Sequence, residues 1–157
     1  MASVPFHYVD LRAFCYATED EKRVERALRT YLPGGPDGER EDGDRIDLDR
    51  AETEGYHGDR ILVLSVRLER ADEVRHVLSR LAESPDLDRV LGELDDRVDD
   101  DCTFFLTLDK QAAVRGEVAL GDGITLRAKV EAYPARKPAA VENVREALTA
   151  LLDDGAP

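Results

Sequence analysis

Apolar residues switch between two periods along this chain, and the order of the switches limits the fold more than any other feature. In FHYVDLRAFCYA, Phe6 to Ala17, Val9, Leu11, Ala13 and Cys15 fall on one side. Tyr8, Asp10, Arg12, Phe14 and Tyr16 fall on the other, which is the pattern of a half-buried strand. Helical spacing follows at once. Thr18 with Glu21 three residues later reads as a capping box, and Val24, Ala27, Leu28, Tyr31 and Leu32 form the apolar stripe behind it. Pro33-Gly34-Gly35-Pro36 ends that helix.

The polar stretch from Pro36 to Arg50 is expected to be an acidic loop. A short strand from Arg50 to Glu54 then enters the turn GYHGD. RILVLSVRLER, Arg60 to Arg70, is the most apolar strand and is expected to be a central one. Val74, Val77, Leu78 and Leu81 predict a helix over Ala71–Ala82. Ser84-Pro85 reads as N-cap and first position of a further helix burying Leu87, Val90, Leu91, Leu94 and Val98.

Beyond Asp99-Asp100-Asp101, CTFFLTL (Cys102 to Leu108) reads as a strand and Lys110 to Val114 as a helical turn. Gly116–Leu120 and Ile124–Tyr133 are expected to form a hairpin across Gly121-Asp122-Gly123. A last helix over Pro138–Leu152 should bury Val141, Val144, Leu148, Leu151 and Leu152, leaving residues 153–157 as a frayed tail. The order is strand, helix, two strands, two helices, three strands, helix. Hairpin-joined strands with grouped helices point to a single α+β domain over residues 1–157: a mainly antiparallel sheet with helices on one face.

The charge is uneven. The chain has 35 acidic and 22 basic residues, a net −13, and 18 of the basic residues are Arg. This resembles the composition of proteins adapted to molar salt, where a Debye length of roughly 3 Å screens carboxylate repulsion. Between Cys102 and Pro138, however, six basic residues meet four acidic ones, a local +2, and the remainder carries −15. Three of the four lysines, Lys110, Lys129 and Lys137, lie in this segment. In ITLRAKVEAY a period of two sets Arg127 and Lys129 on one strand face, about 7 Å apart, with Tyr133 beyond them. That spacing suits successive phosphates of a nucleic acid. Lys110, Gln111, Arg115, Arg136 and Lys137 bracket the strand and extend the candidate anion-binding surface.

TEGYHGDRILVL and LDKQAAVRGEVALGDGITLRAKVEAYP resemble an archaeal family of predicted RNA-binding proteins, also described as a predicted exosome subunit. The matching positions are Glu54, Gly55, His57 and Gly58 in the first motif, and Asp109, Lys110, Gln111, Ala112, Gly121 and Asp122 in the second. The resemblance spans about Phe6 to Leu148. It implies a compact α+β fold similar to the ribosomal protein that holds 5S ribosomal RNA, a non-catalytic role, and RNA or exosome proteins as partners. The alternative is a protein-interaction subunit of an RNA machine that touches RNA little.

Other chemistry finds less support. Glu54 and His57 mark a possible functional loop, but Thr53–Ile61 matches no metal-ligand spacing, and His7 and His76 lie in a strand and a helix. There is no phosphate-binding glycine loop, dinucleotide fingerprint or nucleophile elbow, so neither cofactor nor metal is expected. Cys15 and Cys102 sit in apolar runs and are expected to be buried free thiols. No apolar run approaches membrane-spanning length and no secretory signal is visible, which points to the cytoplasm.

Overall fold

A computed structural model describes residues 5–35, 46–55 and 57–154. Among the described residues five strands make one antiparallel sheet: β1 (Phe6–Tyr16), β2 (Asp49–Glu54), β3 (Arg60–Leu68), β4 (Thr103–Asp109) and β5 (Gly123–Val130). Their spatial order is β2-β3-β1-β5-β4. Six helices among the same residues pack against it: α1 (Glu21–Arg29), α2 (Ala71–Ala82), α3 (Leu87–Gly92), α4 (Leu94–Arg97), α5 (Lys110–Val114) and α6 (Lys137–Asp154).

The α+β class follows from how the alternation is used. Val9, Leu11, Ala13 and Cys15 of β1 are buried, and so are Leu62, Leu64, Val66 and Leu68 of β3 beside them. Ile124, Leu126, Ala128 and Val130 of β5, with Phe104, Leu106 and Leu108 of β4, complete that sheet face. Val24, Leu28, Val74, Val77, Leu78, Val144 and Leu148 lie over it from the helices. Both cysteines are buried and unpaired. The most apolar strand, β3, is internal, but β1 holds the middle of the sheet.

Several local expectations are corrected. The N-cap of α1 is Asp20, whose carboxylate accepts from Lys22 N at 3.0 Å, whereas Glu19, next to Thr18, accepts from Tyr16 N and ties off the β1 turn. The region after Pro85 is two short helices interrupted at Glu93, and Ser84 accepts from Asp86 N without being the cap. Val98 lies beyond them and bridges Phe104. In α6 Leu152 is exposed, and the helix runs on to Asp154. The acidic stretch of the sequence falls mostly at residues 36–45, outside the described residues; its end, Asp49–Arg50, belongs to β2.

The expected hairpin across Gly121-Asp122-Gly123 does not form. Gly116–Leu120 is no strand; only Leu120 bridges, and to Leu108 of β4. The segment folds back on the end of β4 through Asp109 N to Ala119 O (2.9 Å), Gly121 N to Thr107 O (3.1 Å) and Lys110 N to Asp122 O (2.9 Å). Two glycines allow that approach. A Cβ on Gly121 would lie 2.9 Å from Asp109 Cα, and one on Gly123 would lie 2.6 Å from Lys110 Cβ. Gly123 also has φ +110°, where side chains are strained. The turn-like composition of Gly-Asp-Gly therefore serves a backbone packed onto its neighbour.

Candidate nucleic-acid interface

Because the helices cover one sheet face, the residues alternating with the core point to the other. The β1–β5 and β1–β3 registers place Arg67, Asp10 and Arg127 in one row across three strands. Phe105 of β4 pairs with Arg127 and continues that row. The next row holds Asp49, Ser65, Arg12, Thr125 and Thr107, and the row on the other side joins Tyr8, Lys129 and Thr103. A depression of about 400 Å³ lies there, lined by Asp10, Arg12, Phe14, Asp49, Ser65, Arg67, Thr125 and Arg127. Across these rows Arg12, Arg67, Arg127 and Lys129 face Asp10 and Asp49, four cations to two carboxylates.

The internal pairing decides which cations remain available. Asp10 has an arginine on each side, Arg67 on β3 and Arg127 on β5. Both carboxylate oxygens go to Arg67, from Nε at 2.7 Å and Nη2 at 2.9 Å. The same guanidinium lies 4.0 Å from the centroid of the Tyr8 ring. Asp10, first through these hydrogen bonds and then through its charge, pushes the Arg67 pKa up. The side chains of Arg12 and Arg127 are exposed and make no hydrogen bond or ion pair among the described residues. Lys129 Nζ donates to the Asp101 carbonyl, which leaves further donors on the ammonium.

The candidate residues from the sequence separate into three places. Arg127 and Lys129 share the open face as expected from their spacing. Tyr133, Arg136 and Lys137 follow the end of β5, and Tyr133 is 95% exposed. Gln111 and Arg115 are exposed on and just after α5, near the start of β5, and Arg115 pairs with Glu117 at 3.2 Å. The eight residues of β5 thus separate the last two groups by roughly 20 Å. Lys110 lies apart from all three. It is 6% exposed, its Nζ donates to Phe14 O at 2.9 Å and Glu19 Oε1 at 2.7 Å, and it lies 5.2 Å from the Tyr16 ring centroid.

Several residues of the two motifs serve the architecture. Asp109 caps α5 by accepting from Ala112 N at 3.1 Å, Lys110 locks α5 to β1, and the glycines admit the returning chain. In the first motif, Gly55 N donates to Asp59 O at 2.7 Å and Gly58 N to Gly55 O at 3.0 Å, so these residues shape the β2–β3 turn. Glu54 and His57 are exposed on it. Among the described residues, no group of three or more His, Cys, Asp or Glu is placed to hold a metal ion. Among them, too, no helix is long and apolar enough to cross a membrane.

Arg12, Arg67, Tyr8 and Phe105 are the site residues that sequence reasoning missed. The alternation of β1 already set Tyr8 and Arg12 on the polar side. What it lacked was the register that brings β1 between β3 and β5.

An α+β domain whose antiparallel sheet is covered on one side only by the described residues, basic and aromatic on the other, is a scaffold suited to an extended anionic ligand. A family model described as RNA binding matches residues 8–130, and the chain belongs to that family. RNA-binding protein PAB1135 of Pyrococcus abyssi is 34% identical over 146 residues, covering 89% of this chain and 92% of the relative. An uncharacterized protein of Methanocaldococcus jannaschii, MJ0213, is 32% identical over 119 residues, 73% of this chain and 76% of that one. The structure of Mth689, a DUF54 protein from Methanothermobacter thermautotrophicus, superposes with a TM-score of 0.75 at 39% identity, covering 91% of this chain and 98% of the other.

Proposed function

We propose that the protein binds RNA on the open face of its sheet, with Arg12, Arg127 and Lys129 as the principal anion contacts. One observation carries the reading. In a chain of net charge −13, Arg12 and Arg127 stand on adjacent central strands with no anionic partner among the described residues. Asp10, their nearest acid by register, is already committed to Arg67. Membership of an RNA-binding family supports RNA as the anion. Tyr133, Arg136 and Lys137 extend the surface past the end of β5; Gln111 and Arg115 form a second, separate margin. Lys110 has a structural role.

The family resemblance extends the proposal to a non-catalytic accessory role in RNA processing or decay, with the exosome as its setting and the cytoplasm as its place. The docking-only alternative has less support. The exposed large apolar residues among those described are Tyr16, Phe105, Tyr133 and Leu152, on separate elements and mostly aromatic. A protein-docking surface is expected to gather its apolar residues into one patch. Ultraviolet crosslinking to cellular RNA, followed by peptide mapping, tests the site. Crosslinks should fall on the peptides holding Arg12, Phe105 and Arg127. Crosslinks confined to the helices, or none from a folded protein, would contradict it.

A further inference from the structure

The RNA that suits this face can be argued from its rings. Tyr8 is covered by Arg67, and Tyr16 has the Lys110 ammonium over it. Phe105 is 38% exposed and Tyr133 95%, and no cation covers either ring among the described residues. Phe105 is also the direct cross-strand partner of Arg127, with their Cβ atoms about 5 Å apart, so an open apolar ring and an unpaired guanidinium rise from neighbouring positions on one face. A phenylalanine gains nothing from a phosphate or a ribose edge, but it can stack on the face of a base. Bases inside a duplex have no free faces; those of an unpaired strand do.

We infer that the open face takes single-stranded RNA, with one base stacked on Phe105 and the neighbouring phosphates held by Arg127 and Lys129. This deepens the RNA-binding reading and rests on it. Arg127 and Lys129 stand about 7 Å apart along β5, one nucleotide step of an extended strand. The strand direction then leads from the Arg12–Arg127 depression toward Tyr133, whose ring offers a second stacking surface. Stacking also fits the acidic surroundings. Phosphate contacts weaken steeply with salt, whereas a ring against a base does not depend on counterion release.

The chain has no tryptophan, so Phe105→Trp creates a single fluorescent reporter at the proposed stack. Titration with an unstructured RNA decamer, and with the same decamer annealed to its complement, is the test. The single strand should quench the new tryptophan and bind at least tenfold more tightly than the duplex. Phe105→Ala, checked for folding by circular dichroism, should lose roughly ten- to a hundredfold in affinity for the single strand. The inference is overturned if the duplex binds equally well, or if Phe105→Ala leaves single-strand affinity within twofold of the wild type. In either case, loss of binding in an Arg12→Glu/Arg127→Glu variant would keep the RNA surface and remove only the single-strand preference. If the folded wild type binds neither RNA, both readings fall.

Discussion

Replacing Lys110 by methionine should destabilise the fold while sparing the open face. The substitution keeps a long flexible apolar stem but removes the ammonium that meets Phe14 O and Glu19 Oε1. Breaking a buried ion pair from one side costs about 3–5 kcal/mol, because the remaining charge is left uncompensated. The Glu19 side chain is 23% exposed, so water screens part of that loss. The discounted figure is about 2–4 kcal/mol, the Phe14 carbonyl included. For a chain of this size it lowers the melting temperature by on the order of 10 °C. Urea unfolding in molar KCl measures the loss. A Glu19→Gln/Lys110→Met double variant should recover about 1–3 kcal/mol of it, since the orphaned carboxylate is then gone. RNA affinity of the folded Lys110→Met protein should stay within about twofold of the wild type. Unchanged stability, or undiminished stability with a large drop in RNA affinity, would refute the structural role and return Lys110 to the binding surface.

Two further outcomes follow from the pairing and burial of individual groups. Arg67→Ala should weaken RNA binding although Arg67 is itself engaged, because it frees Asp10 to neutralise Arg127. Adding Asp10→Asn should restore affinity, and parallel losses in single and double variants would exclude that coupling. In α2, His76 has its pKa lowered, first by burial and then by Arg80. Its unfolded form therefore takes up a proton first as pH falls, so stability should decline from about pH 6.5 downward. Denaturant midpoints between neutral pH and about pH 5.5 should fall less steeply in His76→Gln than in the wild type; identical slopes would rule the residue out.

The regular elements were legible because they depend on local periodicity. The alternation in Phe6–Tyr16 and the stripe of Ala71–Ala82 each bury the side that their sequences mark. Where expectations failed, longer-range contacts had decided. Gly116–Leu120 has the alternation and glycines of a hairpin strand, yet its partners are on β4. Thr18 offers a capping hydroxyl, but Asp20 stands nearer the first turn and takes the role. Lys110 looked like a surface cation because lysines in an acidic chain stand out. No local signal shows that Glu19 and the Phe14 carbonyl, over ninety residues earlier, meet its ammonium. The candidate site was half visible for a similar reason: Arg127 and Lys129 share a strand, whereas Arg12, Arg67 and Phe105 reach them only through strand register.

The central claim is that the open sheet face is an RNA surface, and an RNA titration in molar KCl tests it most directly. Wild type should be compared with the Arg12→Glu/Arg127→Glu variant, both confirmed as folded. Both arginines are exposed, so the substitutions should leave the core unchanged. Binding by the wild type that falls by more than tenfold in the variant is the predicted result. Equal binding by the two proteins would place the RNA elsewhere and contradict the account.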